Sequence, residues 1–275
     1  MRGLFTAGIL DVWMENGIAL DGAVGVSAGA VFGINLKSGQ IGRVIRYNKT
    51  YCRDKRFAGI GSLLRTGDLY NAQFDYEEIP QRLDPFDTEA YERNPMEFYV
   101  VATDVDTGKA VYHLCPTAEG EDLLWMRASA SMPGVSNIVS CGGLRLSDGG
   151  TADSIPLRFL ESKGYRRNVV ILTQPLGYVK KKHSHRRAFS LILREYPALL
   201  HAMDIRPGMY NTQLQYVAKQ ERFGNCLVLR PPAALNIASV CRDPEELERV
   251  YQIGRTVGTE TLEEVKRFLE ETKAM

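Results

Sequence analysis

Apolar residues recur at helical spacing from the start of the chain. Leu4, Phe5, Ile9, Leu10, Val12 and Trp13 share one face, and Gly17 stands where such a helix stops. The pattern then switches to a short apolar run over 19–26, a predicted strand, and to a largely apolar stretch over 28–37 that predicts a buried helix. Residues 40–50 repeat the helical period. Between 51 and 80, Gly59, Gly61, Gly67 and Pro80 interrupt any regular pattern, which predicts a loop-rich cover and a candidate lid. Phe98-Tyr99-Val100-Val101-Ala102 predicts a core strand, Thr107-Gly108 a turn and Val111-Tyr112-His113 the returning strand.

The second half alternates in the same way. Residues 121–131 predict a short helix stopped by Pro133-Gly134, and Leu144-Arg145-Leu146 a brief strand that runs into Ser147-Asp148-Gly149-Gly150. A helix over 154–163 precedes Val169-Val170-Ile171-Leu172, an uninterrupted apolar run of the kind found in parallel strands covered on both faces. Helices over about 187–203 and 207–222 lead to the strand Cys226–Leu229, and an amphipathic helix entered through Asp243-Pro244-Glu245-Glu246 fills most of 243–272. Strands alternating with helices predict an α/β fold, a three-layer α/β/α sandwich with a mostly parallel central sheet. With no internal repeat and no linker-like tract, a single domain over 1–275 is expected.

Composition narrows the function classes. A hydrophobic fraction of 44% suits a protein with a substantial core, and a formal net charge of +1 gives no bulk electrostatic case for nucleic acid. The apolar runs are shorter than a membrane span, and no basic-then-apolar leader opens the sequence. Cys52, Cys115, Cys141, Cys226 and Cys241 are odd in number, scattered and without a Cys-x-x-Cys pair, which points to reduced thiols and a cytoplasmic setting rather than a disulfide frame or a metal site.

The chemistry centres on Ala23-Val24-Gly25-Val26-Ser27-Ala28-Gly29-Ala30. Ser27 lies in Gly-x-Ser-x-Gly, where a serine on a tight strand-to-helix turn is held exposed and strained, and Gly25 and Gly29 remove side chains that would crowd the turn. The helix that follows points its first amides at any oxyanion formed there. A serine needs a base, and the histidines are His113, His183, His185 and His201. The order Ser27, Asp148, His201 matches an α/β-hydrolase triad, yet in that fold several strands precede the elbow, and here only 26 residues do. Asp148 alone is the better partner. It sits in a tight turn after a strand, and a desolvated carboxylate is a stronger base.

Gly-x-Ser-x-Gly near the start followed by Asp-Gly-Gly some 120 residues later resembles the patatin-like phospholipase family. Further blocks are similar to that family: Arg2-Gly3 before the first helix, Ala102-Thr103-Asp104 with Thr107-Gly108, the segment Arg127–Gly134, and Ile155-Pro156-Leu157. The resemblance runs to about residue 175 and is loose beyond it. It implies a Ser27–Asp148 dyad without histidine, cofactor or metal, acting on acyl esters of lipids by hydrolysis or acyl transfer. It also implies that Gly149 and Gly150 shape the aspartate turn and that Arg2, Gly3 and Ala28 contribute to the oxyanion hole.

Of the family's glycine-rich loop and first strand, only Arg2 and Gly3 are matched. The expectation is a reading frame that starts upstream, and, for the chain as given, weak hydrolysis beside an exposed sheet edge or apolar groove. A lipid-binding module without turnover is the reading from another class. The run Lys180-Lys181-Lys182-His183-Ser184-His185-Arg186-Arg187 is a solvated loop or a patch for anionic membrane, with Leu176, Tyr178 and Val179 beside it to enter the headgroup layer.

Overall fold

The computed structural model describes residues 1–181 and 186–270. Its helices are α1 (Gly3–Glu15), α2 (Ala28–Ser38), α3 (Arg43–Tyr51), α4 (Ile60–Thr66), α5 (Thr88–Arg93), α6 (Gly120–Ser129), α7 (Leu157–Ser162), α8 (Arg186–Ile192), α9 (Pro197–Arg222), α10 (Pro244–Glu260) and α11 (Leu262–Glu270). The strands are β1 (Gly22–Val26), β2 (Glu97–Asp104), β3 (Ala110–Leu114), β4 (Val139–Cys141), β5 (Leu144–Asp148), β6 (Asn168–Ile171) and β7 (Cys226–Leu229).

β2 is the axis of the larger sheet. Its residues from Phe98 to Asp104 are all buried, which requires cover on both faces. Phe98, Val100 and Ala102 pack with Ala30 and Ile34 of α2 and Trp125 and Met126 of α6, while Tyr99 meets Phe159 of α7 edge-on at 5.1 Å. The sheet order is β1-β2-β5-β4, with β3 pairing β2 as well. β1 runs parallel to β2, whereas β3 and β5 run antiparallel to it and β4 antiparallel to β5. The sheet is therefore mixed, because short hairpins supply three of its strands. β6 and β7 form a separate parallel pair. The edge of β1 away from β2 and residues of β6 line the same cavity.

Several elements differ from the sequence pattern for local reasons. The 51–80 cover contains α4 and the start of a wide helical turn over Phe74–Leu83, in which Asp84 N–H reaches back to Ile79 O. Pro80 lies inside that turn and cannot donate, and a looser π-type winding accommodates it. α9 runs unbroken through Pro207, and the chain breaks instead before Pro197, which starts the helix at a position where its missing N–H costs nothing. The last amphipathic stretch divides at Thr261 into α10 and α11. β4 escaped the apolar pattern, although Gly142-Gly143, with φ of 58° and 74°, marks the two-residue turn that joins it to β5.

α10 closes the fold onto α1. Gly8 faces the backbone of Tyr251, and Gly254 faces the carbonyl of Phe5, so the two helices touch backbone to backbone. Asp11, buried in this interface, accepts from Tyr251 Oη (2.6 Å) and Gly42 N (3.0 Å).

Candidate active site

β1 delivers Ser27 to the turn before α2 with φ 55° and ψ −119°, a left-handed conformation that costs a non-glycine residue about 1–3 kcal/mol. The surroundings enforce it. Ser27 N–H donates to Ser129 Oγ (3.0 Å), and a Cβ on Gly25 would stand 2.5 Å from Gly29 O and 2.6 Å from the backbone of Ala30. Gly29 differs from the expectation of crowding: a Cβ there would meet nothing within 4 Å. Gly29 lines the open cavity, so its lack of a side chain leaves room for a ligand rather than relieving a clash.

β5 brings Asp148 opposite Ala102 of β2. Asp148 is 4% exposed, its carboxylate accepts from Gly150 N (2.8 Å), and the Ser27 side chain is near enough to favour its ionised form. Its backbone is fixed on both sides, by Asp148 N donating to Ser131 O (2.8 Å) and by Thr103 Oγ1 donating to Asp148 O (2.8 Å). Gly149 is required because a side chain there would collide with the Val101 carbonyl. Burial pushes the Asp148 carboxyl above its ordinary range; the Ser27 side chain, the Arg206 charge, the Gly150 amide and Lys180 pull it back only in part.

The segment 127–134 ties the two halves together. Ser129 holds the Ser27 amide and the Ser131 carbonyl holds the Asp148 amide, so one short stretch sets the distance between hydroxyl and carboxylate. The sequence marked this segment only through its family resemblance and did not assign Ser129 or Ser131. Their signal was the Ser-Ala-Ser spacing at the end of α6, which alone does not specify an acceptor.

The first residues of α1 and α2 meet at the site. A Cβ on Gly3 would lie 2.7 Å from Ala28 Cβ, so the amide-bearing ends of both helices converge beside Ser27. The first amides of a helix have no acceptor within it, and two such ends make a positive environment for an oxyanion. Arg2 is exposed at the mouth of the same cavity, which has a volume of about 2490 Å³ and is also lined by Ser27, Ala28, Asp148 and Gly150.

No histidine among the described residues lines this cavity. His113 stacks on Trp125 at 4.6 Å and its Nε2 lies 2.7 Å from Asp122 Oδ1, while His201 is exposed on α9. His183 and His185 lie outside the described residues. The histidine triad is therefore not assembled by the described residues. His113, Cys115 and Asp122 place ligand-type atoms within 4.8 Å of one another, but Asp122 also accepts from Thr117 N and Oγ1, and burial pushes the Cys115 thiol up, so the group stands as a packed network.

The basic run divides. Lys180 is half-buried and turns into the cavity, Lys181 is exposed, residues 182–185 lie outside the described residues, and α8 begins at Arg186. Leu176 and Val179 are exposed, but Tyr178 packs edge-on against Tyr210 at 6.0 Å and lines the cavity, so it does not project outward as expected. Phe57, Tyr70, Asp75, Tyr76 and Ile79 from the 51–83 region form part of the cavity wall.

A strand-to-helix serine facing a buried aspartate, between helices packed on both faces of a sheet, belongs to the α/β class. Residues 1–160 match the family Patatin-like phospholipase, and residues 196–270 match one described as Domain of unknown function (DUF6363). The chain belongs to the patatin-like phospholipase family, whose fold is a three-layer α/β/α sandwich. It is similar to Uncharacterized protein YjjU of Escherichia coli, 26% identical over 288 residues covering 98% of this chain and 76% of that protein. It is similar also to Lysophospholipase nte1 of Emericella nidulans, 25% identical over 96% of this chain and 18% of the fungal protein. An Uncharacterized NTE family protein of Mycobacterium tuberculosis is 25% identical over 57% of this chain and 41% of its own length. The chain thus spans about three quarters of the first relative and less than a fifth of the fungal one. No helix among the described residues is long and apolar enough to cross a membrane.

Proposed function

We propose that this protein is a serine lipid acyl hydrolase that uses Ser27 and Asp148 to cleave fatty-acyl esters. The observation that carries the reading is the strained Ser27 turn beside a buried carboxylate, Asp148, whose proton affinity burial has raised and which the Ser27 side chain influences. Family membership and the lysophospholipase relative support lipid esters as the substrate class.

In this reading Ser27 Oγ attacks the acyl carbonyl carbon while its proton passes to Asp148. The oxyanion is met by amides at the starts of α2 and α1, with Ala28 and Gly3 as donors and Arg2 at the rim. Collapse breaks the ester bond, and the leaving alkoxide takes the proton from Asp148, so an acyl-serine and an alcohol result. Water then gives its proton to Asp148 and attacks the acyl carbon, and Ser27 leaves with that proton, releasing the fatty acid. An acceptor alcohol in place of water turns the same steps into acyl transfer.

The test is covalent labelling of the purified chain by a fluorophosphonate, read by mass spectrometry, beside Ser27→Ala and a version extended upstream in frame. Label on Ser27 is the expected result. Ester turnover is expected to fall by at least about 10³-fold in both Ser27→Ala and Asp148→Asn, with unchanged circular dichroism. An Asp148→Asn protein of normal activity removes the dyad. Vesicle binding with no labelling in any form favours a lipid-binding module.

A further inference from the structure

Among the cationic side chains that line the cavity, three from separate parts of the chain act on one another or on Asp148: Arg2 ahead of α1, Lys180 after β6, and Arg206 on α9. Arg206 reaches deep. A methyl group on Gly150 would stand 3.0 Å from Asp148 Oδ1 and 3.1 Å from Arg206 Nη2, so carboxylate and guanidinium flank the same glycine. The Arg206 Nε is buried and has no hydrogen-bond acceptor among the described residues. Leaving such a donor unmade in the interior is unfavourable, and more so for a charged group.

Lys180 is held in place by the same helix. Its N–H donates to Asn211 Oδ1 (2.8 Å) and its carbonyl accepts from Asn211 Nδ2 (3.1 Å). Its ammonium lies 5.1 Å from the centre of the Tyr210 ring, which Tyr178 braces from the side. Burial and the like charges of Arg206 and Arg2 bring the Lys180 ammonium down to about 8, with Asp148 the acid that opposes them. Asp148 carries at most one negative charge against these three cations. A guanidinium present only to offset Asp148 would need no second, half-buried cation beside it.

We propose that Arg206 and Lys180 receive an anionic group of phosphate chemistry carried by the substrate next to the scissile ester, and so select acyl esters of phosphorylated alcohols over neutral ones. A guanidinium fork suits the oxygen pair of a phosphate, while an ammonium adds a point charge from a second direction. The stretch 196–270, which matches a family described as of unknown function, then contributes Arg206 as part of what reads the substrate's head. The inference rests on Ser27 and Asp148 being the reacting pair, but the anion receptor itself requires no turnover.

The test measures ligand binding by calorimetry on the Ser27→Ala chain, with dodecyl phosphate below its micelle concentration as the anionic probe and monododecanoylglycerol as the neutral one. Dodecyl phosphate is expected to bind, and adding Arg206→Gln or Lys180→Met should weaken it about tenfold or more, with partial recovery in Arg206→Lys. Monododecanoylglycerol binding should be the same in all of them. Displacement of dodecyl phosphate by inorganic phosphate assigns recognition to the phosphate itself. Equal affinity of Arg206→Gln for dodecyl phosphate overturns the proposal, and so does parallel loss of both probes, which is the mark of a packing role. Fluorophosphonate labelling of Ser27 in the otherwise unaltered protein separates the two readings: an unlabelled serine beside an intact phosphate receptor defeats the hydrolase and leaves the receptor, whereas a labelled serine with an indifferent Arg206 does the reverse.

Discussion

Ser27 and its two flanking glycines show how one motif combines unlike physical demands. Gly25 is closed in by the backbone of Gly29 and Ala30, so Gly25→Ala is expected to destabilise the elbow by about 1–3 kcal/mol. Gly29 faces open space, so Gly29→Ala should keep the urea midpoint and act on substrate binding instead. Paired denaturation curves and KM values check the contrast, and an equal loss of stability in both variants refutes it. At Asp148 the same scale gives a pH dependence. The base must be ionised to accept the Ser27 proton, and burial raises its pKa, so kcat/KM should fall with acidification through an apparent pKa above the ordinary carboxylate range. A profile flat down to pH ~4 speaks against Asp148 as the base.

The elements matter through how closely they approach. Gly8 and Gly254 let α1 and α10 meet backbone to backbone, with Asp11 bonded to Tyr251 Oη inside the seam. α1 in turn carries Gly3 against Ala28, so a wedge at the far seam tilts the oxyanion side of the site. Gly254→Val is expected to cost about 1–3 kcal/mol and to lower ester turnover together with stability, seen as parallel shifts in the denaturation midpoint and in the rate. β1 and β6 both face the cavity, and their outward edges are unpaired among the described residues. Edge amides of this kind exchange with solvent faster than those of a central strand such as β2, and hydrogen exchange reads the difference directly.

Across the whole molecule, exposed apolar side chains lie near the basic run: Leu176 and Val179 before it, Leu191 and Ile192 on α8 after it. We propose this face for peripheral contact with anionic lipid. Binding to vesicles containing anionic lipid is expected to weaken several-fold between 0.1 and 0.5 M salt, and Leu176→Ser with Val179→Ser should weaken it further at either salt. Sedimentation with vesicles measures both, and salt-insensitive binding eliminates the electrostatic part. Lys180 is outside this contact because it turns inward to Tyr210.

The sequence by itself determined the longer helices and the core strands, the elbow at Ser27 and the turn at Asp148, because each depends on spacing within a few residues: helical periods, a glycine two places either side, a small turn after a strand. It also carried the family resemblance through its motif blocks. Tertiary structure decided what depends on residues far apart. Ser129 and Ser131 hold the Ser27 and Asp148 backbones from more than 100 residues beyond the elbow, and their local sequence does not specify those partners. The mixed pairing of the sheet turned on a short hairpin strand, β4, with too few residues to leave an apolar pattern. Arg206, which the sequence pattern leaves between two predicted helices, and Lys180, read as part of a basic run, come near Asp148 only because α9 packs there, and charge at a site is a property of proximity rather than of order.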